Sequence, residues 1–118
     1  MIGGNRERWN DRASHKPPKK NDPCKEPTCN KSFTRTRYNQ EYCCSGCKRK
    51  YDARALSRSR CLYEPARAWY AGKSKAKKDD PVKILSTEAL RFMGRELARW
   101  RDEDAEMRKI ADRERMAA

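Results

Sequence analysis

Two short pairs of cysteines constrain this chain more than any other feature of its sequence. Four residues separate Cys24 from Cys29, three separate Cys43 from Cys47, and thirteen lie between the pairs. Turn-forming residues accompany both pairs, so that the two sulfurs of each pair can point the same way. Four thiolates can then converge on one Zn²⁺ in tetrahedral geometry. A site closed by four protein ligands is structural rather than catalytic.

The chain is poor in the residues that build an ordinary core. Leu, Ile, Val and Phe total 11 of 118 residues, and 40% of the chain is charged. Highly charged chains usually fail to fold by apolar burial alone when these four residue types make up less than roughly 20% of the sequence. This chain lies well below that share. A large core, a deep apolar catalytic pocket and a membrane-spanning segment are therefore not expected. Order has to come from a metal, a partner or isolated helices.

Cysteine usage favours metal over disulfides. The N-terminal residues contain no apolar stretch typical of a secretory signal, so we expect a cytoplasmic, reducing location, neither secreted nor transmembrane. One structural Zn²⁺ is the expected cofactor. Cys44, two residues from Cys47, competes with Cys43 as a ligand, and spacing alone leaves that choice open. Cys61 stands alone and is expected to be a small buried hydrophobe.

The pattern along the chain predicts a small metal-stabilised zinc finger, with short β-knuckles and a helix, followed by a mainly α-helical C-terminal region. Helices are predicted over 45–59, over 64–72 with Pro65 in the first turn, and from Pro81, capped by Asp80, to about residue 116. The predicted segments are a disordered basic arm (1–23), the finger with its basic helix (24–60), a short helix and basic linker (61–80), and a long amphipathic helix (81–117).

Positive charge is concentrated after the cysteines. The chain carries a net charge of +13, and residues 48–80 hold eleven basic and four acidic side chains. Nucleic acid is the partner that such a surface suits best, through salt-sensitive phosphate contacts with weak sequence selectivity; DNA and RNA both remain open. The side chains expected to make these contacts are Arg35, Arg37, Lys48, Arg49, Lys50, Arg54, Arg58 and Arg60.

The long C-terminal helix carries an apolar stripe, which needs a surface to bury against. That surface is either the finger module with Trp69 and Tyr70, or a protein partner or second copy of the chain. We favour a protein partner, because the finger is too small to cover the whole stripe. The stripe consists of Leu90, Met93, Leu97, Trp100 and Met107.

The string Cys24-Lys25-x3-Cys29-x3-Phe33-x8-Tyr42-Cys43-x3-Cys47 resembles the N-terminal finger of the phage NinG recombination proteins, a treble-clef-like zinc finger. The resemblance covers residues 24–47 only. It implies that Cys43 is the third ligand, because the family usually has Ser after that cysteine, where this chain has Cys44. It also implies a helix opening at the second pair. The family's downstream Cys and His residues are missing here, so its recombination role does not follow.

An enzymatic function is not expected. The only histidine, His15, lies in the basic arm, and the sequence contains no glycine-rich phosphate loop. The leading hypothesis is a small phage or viral zinc-finger accessory protein that binds nucleic acid or a nucleic-acid-processing complex, with a C-terminal interaction helix. The alternatives are a protein-directed regulator, such as an inhibitor or subunit of RNA polymerase or gyrase, and a structural component of a virion or ribonucleoprotein particle.

Overall fold

The computed structural model describes residues 22–37, 39–75 and 77–118. They form strands β1 (Asp22–Pro23) and β2 (Ser32–Phe33), followed by helices α1 (Ser45–Gly72) and α2 (Pro81–Ala117). The strands pair antiparallel, with Asp22 opposite Phe33 and Pro23 opposite Ser32. The mainly helical character is confirmed. The predicted basic arm lies outside the described residues except for its last two, which form β1.

The chain divides into two compact units. The first contains the described residues up to Tyr51 together with the C-terminal segment Arg108–Ala118, and the second is Asp52–Met107. Each helix therefore contributes residues to both units. Within the described ranges, no helix combines the length and the apolarity needed to cross a membrane.

Helix α1 is one continuous helix of 28 residues, whereas the sequence predicted two shorter helices. The expected interruption before Pro65 is wrong, since Pro65 lies inside the helix. A proline costs a helix interior one backbone hydrogen bond and a steric clash, about 3 kcal/mol. The helix forms regardless because strong helix formers flank Pro65 on both sides and α1 has a packing partner.

In the second unit α1 and α2 pack antiparallel. Gly72, the last residue of α1, is buried against the start of α2, where an added β-carbon would lie 2.5 Å from Ser86 Cβ. Ser86 Oγ donates a 2.7 Å hydrogen bond to the carbonyl oxygen of Trp69. Further along, Arg58 forms a two-point ion pair with Asp104, at 2.8 and 3.0 Å. The helices thus approach closely near their connection and are separated by larger side chains further away.

The connection that allows this pairing ends in the predicted helix cap. Asp80 Oδ1 accepts a 2.8 Å hydrogen bond from the backbone N–H of Val82, and the Asp80 carbonyl accepts the first helical bond, from Ile84. A side-chain cap of this kind satisfies a backbone donor that would otherwise lack a partner at the helix start. The observed α2 begins at Pro81, as predicted, and ends one residue beyond the predicted end.

The buried face of α2 differs from the predicted apolar stripe. Leu90 and Leu97 are about half exposed, at 52% and 53%, and the small residues Ser86 and Ala89 are buried instead. Trp100 is buried as expected, and Met93 and Met107 are half-buried. The helix pair therefore buries Trp100 and leaves the two leucines half exposed, and contact of the stripe with a protein partner stays a prediction. A close approach of two helices selects small side chains, which a count of apolar residues does not detect.

Few apolar side chains are buried, as the composition predicts. In the described part of the chain, the buried ones are Cys24, Pro27, Cys47, Ala89, Trp100 and Ala111. Two of these six are cysteines of the predicted metal site, and Pro27 lies in the turn between Cys24 and Cys29. The site and its turn therefore contribute about half of the buried apolar side chains among the described residues.

Candidate metal centre

The first cysteine pair lies on a tight β-hairpin. The backbone N–H of Cys24 donates to the carbonyl of Lys31 at 2.8 Å, which closes the hairpin beside the β1–β2 pairing. Inside the turn, the N–H groups of Cys29 and Asn30 both donate to the Glu26 carbonyl, at 3.0 and 2.9 Å. Asn30 adopts a left-handed conformation with φ of 47°, which asparagine tolerates better than most residues. The turn brings the sulfurs of Cys24 and Cys29 to the same side.

A buried carboxylate stabilises this turn from within. Glu26 is fully buried, and its Oε2 accepts a 2.5 Å hydrogen bond from the Thr28 hydroxyl. A buried acidic side chain requires such partners because its desolvation is costly. The local sequence between the two cysteines therefore shapes the turn as well as setting its length.

The second pair lies at the start of α1. Cys43 precedes the helix, which begins at Ser45, and Cys47 lies in its first turn. The backbone N–H of Cys43 donates to the sulfur of Cys24 at 3.4 Å, which links the two pairs directly.

Aromatic and charged contacts connect the hairpin to α1. The rings of Tyr42 and Tyr51 lie 5.6 Å apart, and Lys25 Nζ lies 4.8 Å from the Tyr51 ring centroid. The Lys25 N–H also donates to the Glu41 carbonyl at 2.9 Å. Tyr42 thus packs against Tyr51 beside the cysteine turns, and Phe33 is half-buried in β2.

Four cysteine sulfurs converge at distances that suit a single metal ion. The ligand atoms of Cys24, Cys29, Cys43 and Cys47 all lie within 4.8 Å of one another and could hold a metal ion. The Cys29–Cys43 and Cys43–Cys47 sulfurs are 3.7 and 3.6 Å apart. Zn–S bonds of about 2.3 Å at tetrahedral angles require an edge of about 3.8 Å. A disulfide would need about 2.05 Å, and all six cysteines are free thiols.

The structure distinguishes Cys43 from Cys44. The Cys44 sulfur lies 3.7 Å from that of Cys47, but its side chain is exposed and it is not part of the four-sulfur group. Backbone N–H groups, first that of Cys47, donate to the Cys44 sulfur and lower its pKa. Cys61, expected to be buried, is exposed on α1 and donates to the Ser57 carbonyl. The expectation of burial is therefore wrong.

Electrostatics in the cluster show why the sulfurs need a cation. Burial raises the pKa of the Cys43 thiol to about 12 and also raises the pKa of the Cys47 thiol. At Cys29 burial again opposes ionisation, but the Lys31 backbone N–H and the neighbouring thiols donate to its sulfur and lower its pKa. Crowded thiolates repel one another, so a divalent cation is required before all four ionise.

The last turns of α2 hold the first cysteine turn, a role that the sequence did not reveal. Arg108 donates to Asn30 Oδ1 at 2.9 Å and to the carbonyls of Cys24 and Lys25 at 3.4 and 3.2 Å. Asn30 Nδ2 in turn donates to both carboxylate oxygens of Asp112, at 3.0 and 3.1 Å. Asp112 has a lowered pKa, first because of the Asn30 bond and then because of Arg115.

Arg115 adds a donor to the carbonyl of Cys29 and pairs with Asp112 at 2.9 Å. Positions 108, 112 and 115 are spaced so that they share one face of a helix, which is the signal the sequence did contain. We call Arg108, Asp112 and Arg115 the C-terminal clamp. Asp104, one helical turn before Arg108, binds Arg58 instead, and Arg108 belongs to this clamp.

The eight predicted phosphate-contacting side chains fall into two groups. Arg35 forms a 2.6 Å ion pair with Asp22, and Arg58 pairs with Asp104 with its guanidinium 5.4 Å from the Trp100 ring centroid. Both arginine side chains are mostly buried in these ion pairs, and their assignment to phosphate binding stays a prediction. Arg54 is half-buried and engaged in an interaction of its own. The exposed members are Arg37, Lys48, Arg49, Lys50 and Arg60.

No protein-family model, no curated protein and no solved structure matches this chain. Its function is therefore inferred from its own residues.

Proposed function

We propose that this protein is a small phage or viral zinc-finger accessory protein that binds nucleic acid, or a complex that processes it, through a basic surface at the start of α1. Zn²⁺ is the metal that four cysteine thiolates at tetrahedral spacing suit best. The four cysteines fill all coordination positions, so the metal supplies folding energy and no reaction is assigned to it. The likeness of residues 24–47 to the NinG finger supports a treble-clef-like classification of the motif.

One observation carries the nucleic-acid proposal: Lys48, Arg49 and Lys50 are exposed directly after the metal ligand Cys47. Three consecutive helical positions spread over more than half of the helix circumference, which allows the side chains to reach a phosphate backbone from several directions. The metal site holds the start of α1 in place, so these cations are presented by a constrained element. Phosphate neutralisation of this kind favours affinity over sequence selectivity.

A concave surface beside these cations adds to the argument. A depression of about 360 Å³ lies at the start of α1 and is lined in part by Arg37, Gln40, Ser45 and Lys48. Among its described lining residues the one acidic side chain, Glu41, pairs with Lys25 at 3.4 Å. Gln40 Oε1 accepts hydrogen bonds from the Thr36 N–H and hydroxyl, which stabilises this loop. Helix starts present backbone N–H groups to anions, so a phosphate is well matched to this position.

The test is salt-dependent binding of a labelled DNA or RNA duplex, followed by fluorescence anisotropy. Replacing Lys48, Arg49 and Lys50 together by Ala should weaken binding and lower the slope of log K against log salt by about 2 to 3, measured between about 50 and 200 mM salt. The matched control removes the same charge from exposed positions of α2, as Arg91→Ala, Arg95→Ala and Lys109→Ala. Equal losses in the two triple variants would contradict a local phosphate-binding surface.

A second candidate, the protein-directed regulator, is supported by the half-exposed Leu90 and Leu97 on α2. They are seven residues apart and share one helix face, as anchors of a helix-in-groove contact would. The partner in that case is a polymerase or gyrase subunit, a virion or ribonucleoprotein component, or a second copy of the chain. Retention of a host protein after nuclease treatment, and its loss in Leu90→Ser with Leu97→Ser, would favour this function over direct nucleic-acid binding.

A further inference from the structure

Two tyrosines are exposed on the face of α1 that points away from α2. Tyr63 is 64% and Tyr70 is 67% exposed. Seven residues apart, they lie on the same side of the helix and about 10 Å apart along its axis. The α2-facing side of α1 contains Arg58, Trp69 and Gly72, which lie roughly opposite on the helical wheel. The two rings are therefore not used in holding the helices together.

Cations accompany both rings. The Arg67 guanidinium lies 5.9 Å from the Tyr63 ring centroid, and Lys73 Nζ lies 4.8 Å from that of Tyr70. Arg60, exposed, precedes Tyr63 by almost one helical turn. Glu64 pairs with Arg67 at 3.4 Å, but both side chains are largely exposed and such a pair is weak. The face therefore keeps an excess of positive charge, arranged as alternating aromatic and basic side chains.

The space beside the rings is suited to a flat group. Tyr63 and Tyr70 border an open depression of about 600 Å³, whose lining includes the small side chains of Ala66, Ala68 and Ala71. Bulky neighbours would cover the ring faces, whereas alanines leave room beside them. The depression exposes mainly apolar surface with charge at its edge, which matches a nucleobase and its phosphate.

From this arrangement we propose that the face of Arg60, Tyr63, Arg67, Tyr70 and Lys73, here called the tyrosine face, binds single-stranded nucleic acid. Bases stack on the two tyrosines, and the cations contact the adjoining phosphates. Stacking of this kind is tolerant of sequence because every base has an aromatic face. In a duplex those faces are covered by neighbouring base pairs, so only unpaired bases reach the rings. The inference rests on the proposed nucleic-acid function and names the form of nucleic acid recognised.

The experiment compares a labelled single strand of mixed sequence with its duplex, using the full-length zinc-loaded protein and fluorescence anisotropy. Tyr63→Ala and Tyr70→Ala should each weaken single-strand binding by about fivefold or more, because alanine substitution removes one stacking platform. Duplex affinity should change little. Both residues are mostly exposed, so the variants should keep the wild-type circular dichroism spectrum.

Conservative variants provide the matched control. Tyr63→Phe and Tyr70→Phe retain the rings and should bind the single strand as the wild type does. Alanine variants that bind the single strand normally, or that lose single-strand and duplex binding equally, would overturn the inference. Binding of an acidic peptide at this face in place of the single strand would overturn it as well. The proposed function fails separately, if the wild type binds neither form of nucleic acid.

Discussion

Replacing Gly72 by alanine should destabilise the helix pair, because this position has no room for a side chain. A β-carbon there would lie 2.5 Å from Ser86 Cβ and still closer to the carbonyl oxygen of Val82. A carbonyl oxygen of the backbone cannot rotate away as the end of a long side chain can. The start of α2 therefore has to move away from the end of α1.

The expected cost follows from the two contacts that this movement disturbs. Overpacking by one carbon typically costs about 1–3 kcal/mol, and the backbone clash places Gly72→Ala toward the upper end of that range. Separation of the helices also stretches the 2.7 Å bond from Ser86 to Trp69, worth about 1 kcal/mol net. We expect a loss of about 2–4 kcal/mol in the free energy of unfolding.

Gly94→Ala is the matched control, since Gly94 lies in the middle of α2 with no atom within 4 Å of an added β-carbon. Alanine favours the helix there by about 1 kcal/mol, so the same substitution should stabilise. Urea unfolding followed by circular dichroism, with zinc in excess, measures both changes. A Gly72→Ala variant as stable as the wild type, or Gly94→Ala with the larger loss, would refute the packing described for these helices.

Three further results are expected. Metal analysis should find one equivalent of zinc in the wild type and in Cys44→Ser but little in Cys24→Ser, and zinc loss in Cys44→Ser would contradict the ligand set. Because burial raises the pKa of the Cys43 thiol to about 12, and that of another ligand thiol as well, these groups are protonated at neutral pH before metal binds. Zinc must therefore displace at least two protons, and its apparent Kd should rise by about 100-fold for each pH unit that the pH falls. Calorimetry in two buffers of different ionisation enthalpy counts the released protons. An affinity for zinc that does not change with pH would refute this prediction. Arg58→Leu should lower the free energy of unfolding by about 1–2 kcal/mol, because it leaves Asp104 without its cation. The double variant with Asp104→Leu should regain most of this stability, as measured by thermal unfolding. Losses that add up in the double variant would contradict the pairing.

Local features of the sequence were predicted well. The spacing of the cysteines, the turn chemistry at Asn30 and the Asp80 cap are each set by residues close together in the chain, where short-range geometry dominates. The interruption at Pro65 was predicted wrongly for the converse reason. Local propensity disfavours a helix there, but packing along α1 contributes more than the proline costs.

Long-range pairings could not be predicted in the same way. Nothing in the sequence says that Arg58 is matched with Asp104, or that Arg108 donates to the carbonyls of the first cysteine turn. Charged residues have many possible partners in a chain that is 40% charged. Burial removes water from particular pairs, and only the folded geometry determines which pairs those are.

The sequence by itself determined that a large apolar core is not expected, because the chain has few large apolar residues, and that order has to come from a metal, a partner or isolated helices. It also determined which short segments carry the four thiols. The tertiary structure groups the sulfur of Cys43, and not that of Cys44, with the sulfurs of Cys24, Cys29 and Cys47. It also buried some of the predicted phosphate-contacting cations, left others exposed, and left Tyr63 and Tyr70 mostly exposed. These outcomes depend on which atoms meet across the fold, and spacing along the chain does not specify that.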